Sequence, residues 1–355
     1  MNIAPDTRSP FAGGVLSPQA NQAAALAACT GILTVDLDAI VANWKKLEKT
    51  AVPAECAAVI KANAYGCGAE QVARALAGAG CKTFFVATIE EARVVRSAVP
   101  QATLYVLDGF FQNTGDAYAR IDCKPVIGDL NELAEWDVFC RRAAWSGGAA
   151  IHIDTGMNRL GLTIAEAQGI IPRINADTHG ISLVMSHLVS AELLNNPINA
   201  RQLAAFREIA SRFSSVPASL SNSSGIYLGP QFLFDVVRPG AALYGINPTP
   251  EADNPMQPVV ELKARIVQLR NIERGVGGER LAGQRRLGRG GRRRPAHARR
   301  VHGRVGSLGR VRGARGQGRA AAGSQAKAYA VAHRRSLHAC RSAASGLVRA
   351  ARSAG

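Results

Sequence analysis

Between Gly31 and about Asp253 the chain alternates short apolar runs with amphipathic segments, and this alternation restricts the fold more than any other feature. After a first strand at 33–37 and a helix at 38–49, eight strand candidates follow at 56–61, 83–87, 103–107, 123–127, 149–154, 181–187, 218–222 and 235–238. The stretches between them, such as Glu70–Ala79, Asn131–Arg142 and Ala200–Phe213, carry apolar residues at helical spacing. Strands separated by helices pair in parallel through right-handed crossovers. Eight such units predict an α/β fold, a (β/α)8 TIM-like barrel, for which ~220 residues is a sensible length.

The four prolines between Pro248 and Pro258 continue neither a helix nor a central strand, so this stretch reads as a linker. Val259–Ile272 then alternates through Val260, Leu262, Ala264 and Ile266, as the start of a second, β-rich domain pairing with the strand near Leu33. The expected organisation is a flexible leader at 1–30, the barrel at 31–253, linker and first strand at 254–275, and a tail at 276–355. Ala23–Cys29 is apolar but lacks a preceding basic cluster, which argues against a secretion signal.

Charge separates the tail from the rest. The net charge is +17, yet residues 276–355 alone hold 19 Arg and one Lys against the single acid Glu279, which leaves the first 275 residues at −2. The tail has no Ile, Phe, Trp, Met, Asp, Asn or Thr, and Arg, Gly and Ala make up 51 of its 80 residues. Such a composition cannot offset the entropy of ordering, so the tail is expected to be disordered. Arg, Gly and Ala are residues of GC-rich codons, which suggests a shifted reading frame beyond about residue 275, leaving the β-domain uncompleted. The competing reading is an arginine-rich arm for nucleic acid, which the lone aromatic Tyr329 and the lack of a repeated RGG unit disfavour. The seven cysteines show no metal-ligand spacing, and their odd number suits reduced thiols in a cytoplasmic protein. No apolar run approaches the ~18 residues of a membrane span.

In such a barrel the site lies where the strands end at their C-terminal side, with phosphate near strands 7 and 8. Strand 1 ends in Lys61, an amine held at the edge of the core, where partial desolvation favours the neutral nucleophile that condenses with carbonyls. For a lysine at a strand end the ordinary alternative is a solvated charge, but Ala62-Asn63-Ala64-Tyr65-Gly66-Cys67-Gly68 leaves room beside it and adds a phenol. Strand 5 runs into Asp154–Gly161, strand 6 into Ser186-His187, strand 7 into Ser221–Gly225 and strand 8 into Arg238-Pro239-Gly240. Ser223 and its neighbours offer a hydroxyl and backbone N–H groups for a phosphate dianion, the alternative being a plain turn and cap. Gly240 lets backbone approach a ligand closely.

Val59–Gly68, Asp154–Gly161 and Val237–Gly240 together resemble the motifs of alanine racemases, the pyridoxal-phosphate-dependent enzymes built on a TIM-like barrel. The resemblance spans roughly residues 31–275. It implies an isomerase that interconverts L- and D-alanine for the cell wall, through an aldimine of pyridoxal 5'-phosphate and proton exchange between two bases. Lys61 would hold the cofactor and act as base on the D-alanine face. Tyr65, Asn222, Ser223, Arg238, Gly240 and Tyr244 would bind the cofactor, with Arg238 at the pyridine nitrogen and Tyr244 at the phosphate. Arg159 would stand beside Tyr65 and bind the substrate carboxylate, and His187 would lie near the cofactor ring. The family forms homodimers in which a tyrosine of the partner's β-domain serves the opposite face. The tail stands where that segment is expected, so the resemblance leaves open a barrel that carries cofactor without racemising. Two departures stand out: His152 replaces a lysine of many relatives, and Cys67 a histidine.

Overall fold

The computed structural model describes residues 28–145, 147–174, 180–213 and 215–266. The 276–355 tail, and nearly all of the 1–30 leader, lie outside these residues. Leu33–Leu262 forms one compact unit within them. Strand β1 (Gly31–Val35) leads into helix α1 (Leu37–Ala51), whose first turn is capped by Asp36, its carboxylate accepting the Ala39 N–H at 2.9 Å. The barrel follows as β2 (Glu55–Cys56), β3 (Ala58–Val59), α2 (Ala69–Gly78), β4 (Thr83–Val86), α3 (Ile89–Ala98), β5 (Thr103–Val106), α4 (Gly115–Ile121) and β6 (Lys124–Ile127). It continues with α5 (Leu130–Ala143), β7 (Ala149–His152), α6 (Ile164–Ile170), β8 (Ile181–Met185), α7 (Pro197–Ala210), β9 (Ala218–Ser219) and β10 (Val236–Val237).

From β3 to β9 the strands pair in parallel and in sequence order. The ring is closed by β10. Its flanks donate from Asp235 to Ala218 O (3.0 Å) and from Arg238 to Ser221 O (2.9 Å) on one side. On the other side Ala57 donates to Val237 O at 3.0 Å and Val59 to Pro239 O at 2.9 Å. β2 and β3 are therefore one strand interrupted at Ala57, and the expected eight-stranded barrel is the fold.

The near-continuous apolar runs follow from burial on both faces. Val59, Phe85, Tyr105, Val126, Leu183, Met185 and Val236 fill the barrel interior. Their neighbours Phe84, Leu104, Ile127, Ile151 and Val184 point outward, into the layer beneath the helices. Trp44 of α1 belongs to that layer and donates its indole N–H to Cys56 O at 3.1 Å.

The proline-rich stretch is irregular, as expected, yet anchored. Buried Asn43 donates to Leu243 O (3.2 Å) and Gln257 O (3.0 Å) and accepts the Gln257 N–H at 2.7 Å, while Met256 and Val259 are buried. Beyond it β11 (Val260–Ala264) pairs with β1 in a separate two-stranded sheet, the pairing expected for this part of the alternating segment, whose residues 267–272 lie outside the described residues. Within the other compact unit, Arg265 donates to Thr30 O at 2.9 Å.

Candidate active site at the barrel mouth

Lys61 lies just past β3, after the buried Ile60, and is half-buried. The chain beyond it does not continue as an ordinary turn. Ala62, Asn63, Ala64 and Tyr65 all have φ of 53–54°, and Gly66 has φ of 89°. A left-handed run costs about 1–2 kcal/mol per non-glycine residue, with asparagine the most tolerant. Local bonds hold the run: Ala64 donates to Ile60 O (2.8 Å), Gly66 to Ala62 O (3.0 Å), and Asn63 Oδ1 accepts the Ala69 N–H (2.8 Å). Glu91, in the first turn of α3, adds a bond from outside by accepting the Asn63 N–H at 3.1 Å.

The turn delivers Tyr65 onto Tyr244, ring stacked on ring at 4.6 Å. A Cβ at Gly240 would stand 2.5 Å from the Tyr65 hydroxyl, so only glycine leaves the phenol its place. Burial pushes the Tyr65 phenol above its ordinary pKa. The Tyr244 hydroxyl donates to Val59 O at 3.3 Å, so its donor is already engaged within the barrel.

Across the mouth, Arg238 is buried, and among the described residues it forms no ion pair. It donates to the Ser219 hydroxyl and to Ser186 O (2.6 Å), with its guanidinium over Phe85. Ser219 in turn donates to Val236 O at 2.5 Å. Burial pulls the Arg238 pKa down, though a guanidinium remains charged at neutral pH. His187 is half-buried beside it. Burial, followed by the charges of Arg238, Arg159 and Lys61, lowers its pKa to about 3. His152, buried at the end of β7, is lowered to about 4 by burial and Arg238, with Asp154 opposing. Both imidazoles are neutral at physiological pH.

The loop after β7 is shaped by Asp154, whose Oδ1 accepts the N–H groups of Gly156 (2.8 Å), Met157 (2.8 Å) and Asn158 (3.2 Å). Arg159 stands exposed at its end, near enough to act on both histidines. Gln202 of α7, fully buried, donates to Thr155 Oγ1 (3.3 Å) and His187 O (3.0 Å), joining this loop to the one after β8. Ser223 is buried, and its Oγ accepts from Gly240 N (3.0 Å) and Ala242 N (3.1 Å), leaving the hydroxyl proton free to donate. Asn222 braces the same loop, accepting the Gly225 N–H at 3.0 Å and donating to Leu188 O at 3.3 Å.

All the residues anticipated at strand ends thus stand at one mouth. Glu91, Gln202 and Ser219 were not anticipated. Their partners lie 28, 47 and 19 residues away, and no local spacing announces such contacts.

Residues 35–248 match the family described as the alanine racemase N-terminal domain. The alanine racemase of Methylobacterium nodulans is 51% identical over 243 residues, 68% of this chain and 66% of that protein. The alanine racemase of Rhodospirillum rubrum is 45% identical over 248 residues, again 66% of that protein. The chain thus spans about two thirds of the length of these curated relatives. Among solved structures, alanine racemase from Bartonella henselae, with covalently bound pyridoxal phosphate, superposes with a TM-score of 0.67 at 39% identity, covering 70% of each chain. The alanine racemase of Streptomyces lavendulae gives 0.62 at 29% identity, over 66% of this chain and 65% of its own.

Proposed function

The chain belongs to the alanine racemase family through residues 35–248, and from that premise we propose that it interconverts L- and D-alanine with pyridoxal 5'-phosphate held at the barrel mouth. The observation that carries this reading is a buried guanidinium, Arg238, with no carboxylate partner among the described residues, on the same rim as a half-buried amine. An uncompensated buried cation is costly, and a ligand offering an acceptor and a dianion would relieve it. A Cβ at Gly240 would collide with the Tyr65 hydroxyl, so the glycine lets the phenol stand on this rim, and Ser223 has a hydroxyl proton to offer a phosphate oxygen. These residues fit the cofactor.

Pyridoxal phosphate supplies an electron sink that acidifies the α-proton of an amino acid. Lys61 would bind it covalently and, once released by substrate, carry the proton on the D-alanine face. Arg238 would donate a hydrogen bond to the ring nitrogen without surrendering a proton, which tempers the sink and favours simple proton exchange. Arg159 would pair with the substrate carboxylate, and neutral His187 would line the pocket without repelling the cationic groups around it. The proton on the opposite face needs a second group, which the resemblance assigns to a homodimer partner.

The experiment is direct. Treating the protein with pyridoxal phosphate and borohydride is expected to label Lys61, and incubation with L-alanine to yield D-alanine. Absence of label on Lys61 would sink the reading. Label without D-alanine would favour the second reading, a barrel that carries cofactor without turnover. That reading draws support from the match covering only 66% of the curated relatives' length. We also propose that residues beyond about 275 are read in a shifted frame.

A further inference from the structure

We propose that Glu91 is a positioning residue for Lys61, a clamp that holds the left-handed turn carrying the amine; this rests on the reading of Lys61 as the cofactor lysine. The lysine is followed by four non-glycine residues at φ of 53–54°, a conformation such residues leave when nothing holds them. The Glu91 carboxylate accepts the Asn63 N–H through Oε1 at 3.1 Å and the Ala87 N–H through Oε2 at 2.8 Å. One side chain thus ties the turn after β3 to the end of β4. Glu91 is itself fixed, its N–H donating to the capping hydroxyl of Thr88 at 3.3 Å. Two N–H donors converge on two carboxylate oxygens, and only an acidic side chain offers both. Glutamine would satisfy one donor and turn an NH2 group toward the other.

A purely structural role in capping α3 would leave the turn itself untouched, and this separates the two explanations. In the full-length chain, E91Q is expected to weaken pyridoxal phosphate retention about tenfold, the low end of the scale for a lost hydrogen bond to a charged group. It should also speed amide hydrogen exchange over residues 62–65, measured without cofactor, while α3 and β4 keep their protection. E90Q, altering an exposed neighbour, should do neither. A62G, which makes the left-handed conformation inexpensive at an exposed position, should restore most of both losses in the E91Q background.

Retention and exchange within twofold of the parent in E91Q would overturn the proposal, as would failure of A62G to restore them. Should E91Q fail to fold, recovery of the folded state by A62G would support it, and no recovery would overturn it. If the parent itself takes no label on Lys61, the functional reading falls, while exchange in the cofactor-free chain still decides whether Glu91 holds the turn.

Discussion

His152 and His187 have a consequence for stability that can be worked out in sign. Their folded pKa values, about 4 and about 3, lie below the ordinary 6.5 because burial and the Arg238 charge penalise the imidazolium. Below pH 6.5 the unfolded chain takes up protons that the folded chain refuses, so stability is lost as the pH falls. Each imidazole contributes a slope of up to about 1.4 kcal/mol per pH unit between pH 6.5 and its own folded pKa. Urea denaturation midpoints should therefore fall between pH 7 and 5, and H152Q should flatten that fall; an unchanged dependence in H152Q would contradict it. The residues at strand ends were legible in the sequence because an ionisable group closing an apolar run is a local pattern. Glu91, Gln202 and Ser219 were not, since each acts on atoms that only the folded chain brings near.

Among the elements, strands were the easiest to read, because a parallel strand covered on both faces is a short unbroken apolar run. Phe84 and Phe85 illustrate the reason, the first packing outward against the helices and the second inward. Phe84→Ala should cost about 3–5 kcal/mol in chemical denaturation, as for an aromatic lost from a filled core. A loss below ~1 kcal/mol would mean the outer layer is looser than the burial of Phe84 implies. The left-handed turn was not legible. Ala-Asn-Ala-Tyr contains no glycine, the usual sign of positive φ, so its conformation depends on the surrounding structure. The proline-rich stretch has no local signature for its attachment through Asn43, some 214 residues from Gln257.

For the whole molecule, the division of charge is the governing fact. Residues 1–275 carry −2 and the remainder +19, although β11 (Val260–Ala264), ahead of that break, still pairs with β1. The shifted frame proposed above would account for this abrupt change of composition. Sequencing the gene downstream of the Gly275 codon is expected to reveal, in another frame, alternating apolar runs that continue β11. If the other frames contain only stops and polar stretches, the basic segment is the intended product.

Because the last barrel strand bonds to both β9 and the β2–β3 strand, the cylinder has no free margin at which foreign chains could add. All of its strands are available once residues near 240 have left the ribosome, and the Asn43 contacts with residue 257 can form soon afterwards. A translation error further downstream would arrive after these bonds can be made, so a nascent chain with a wrong ending could still carry a finished barrel.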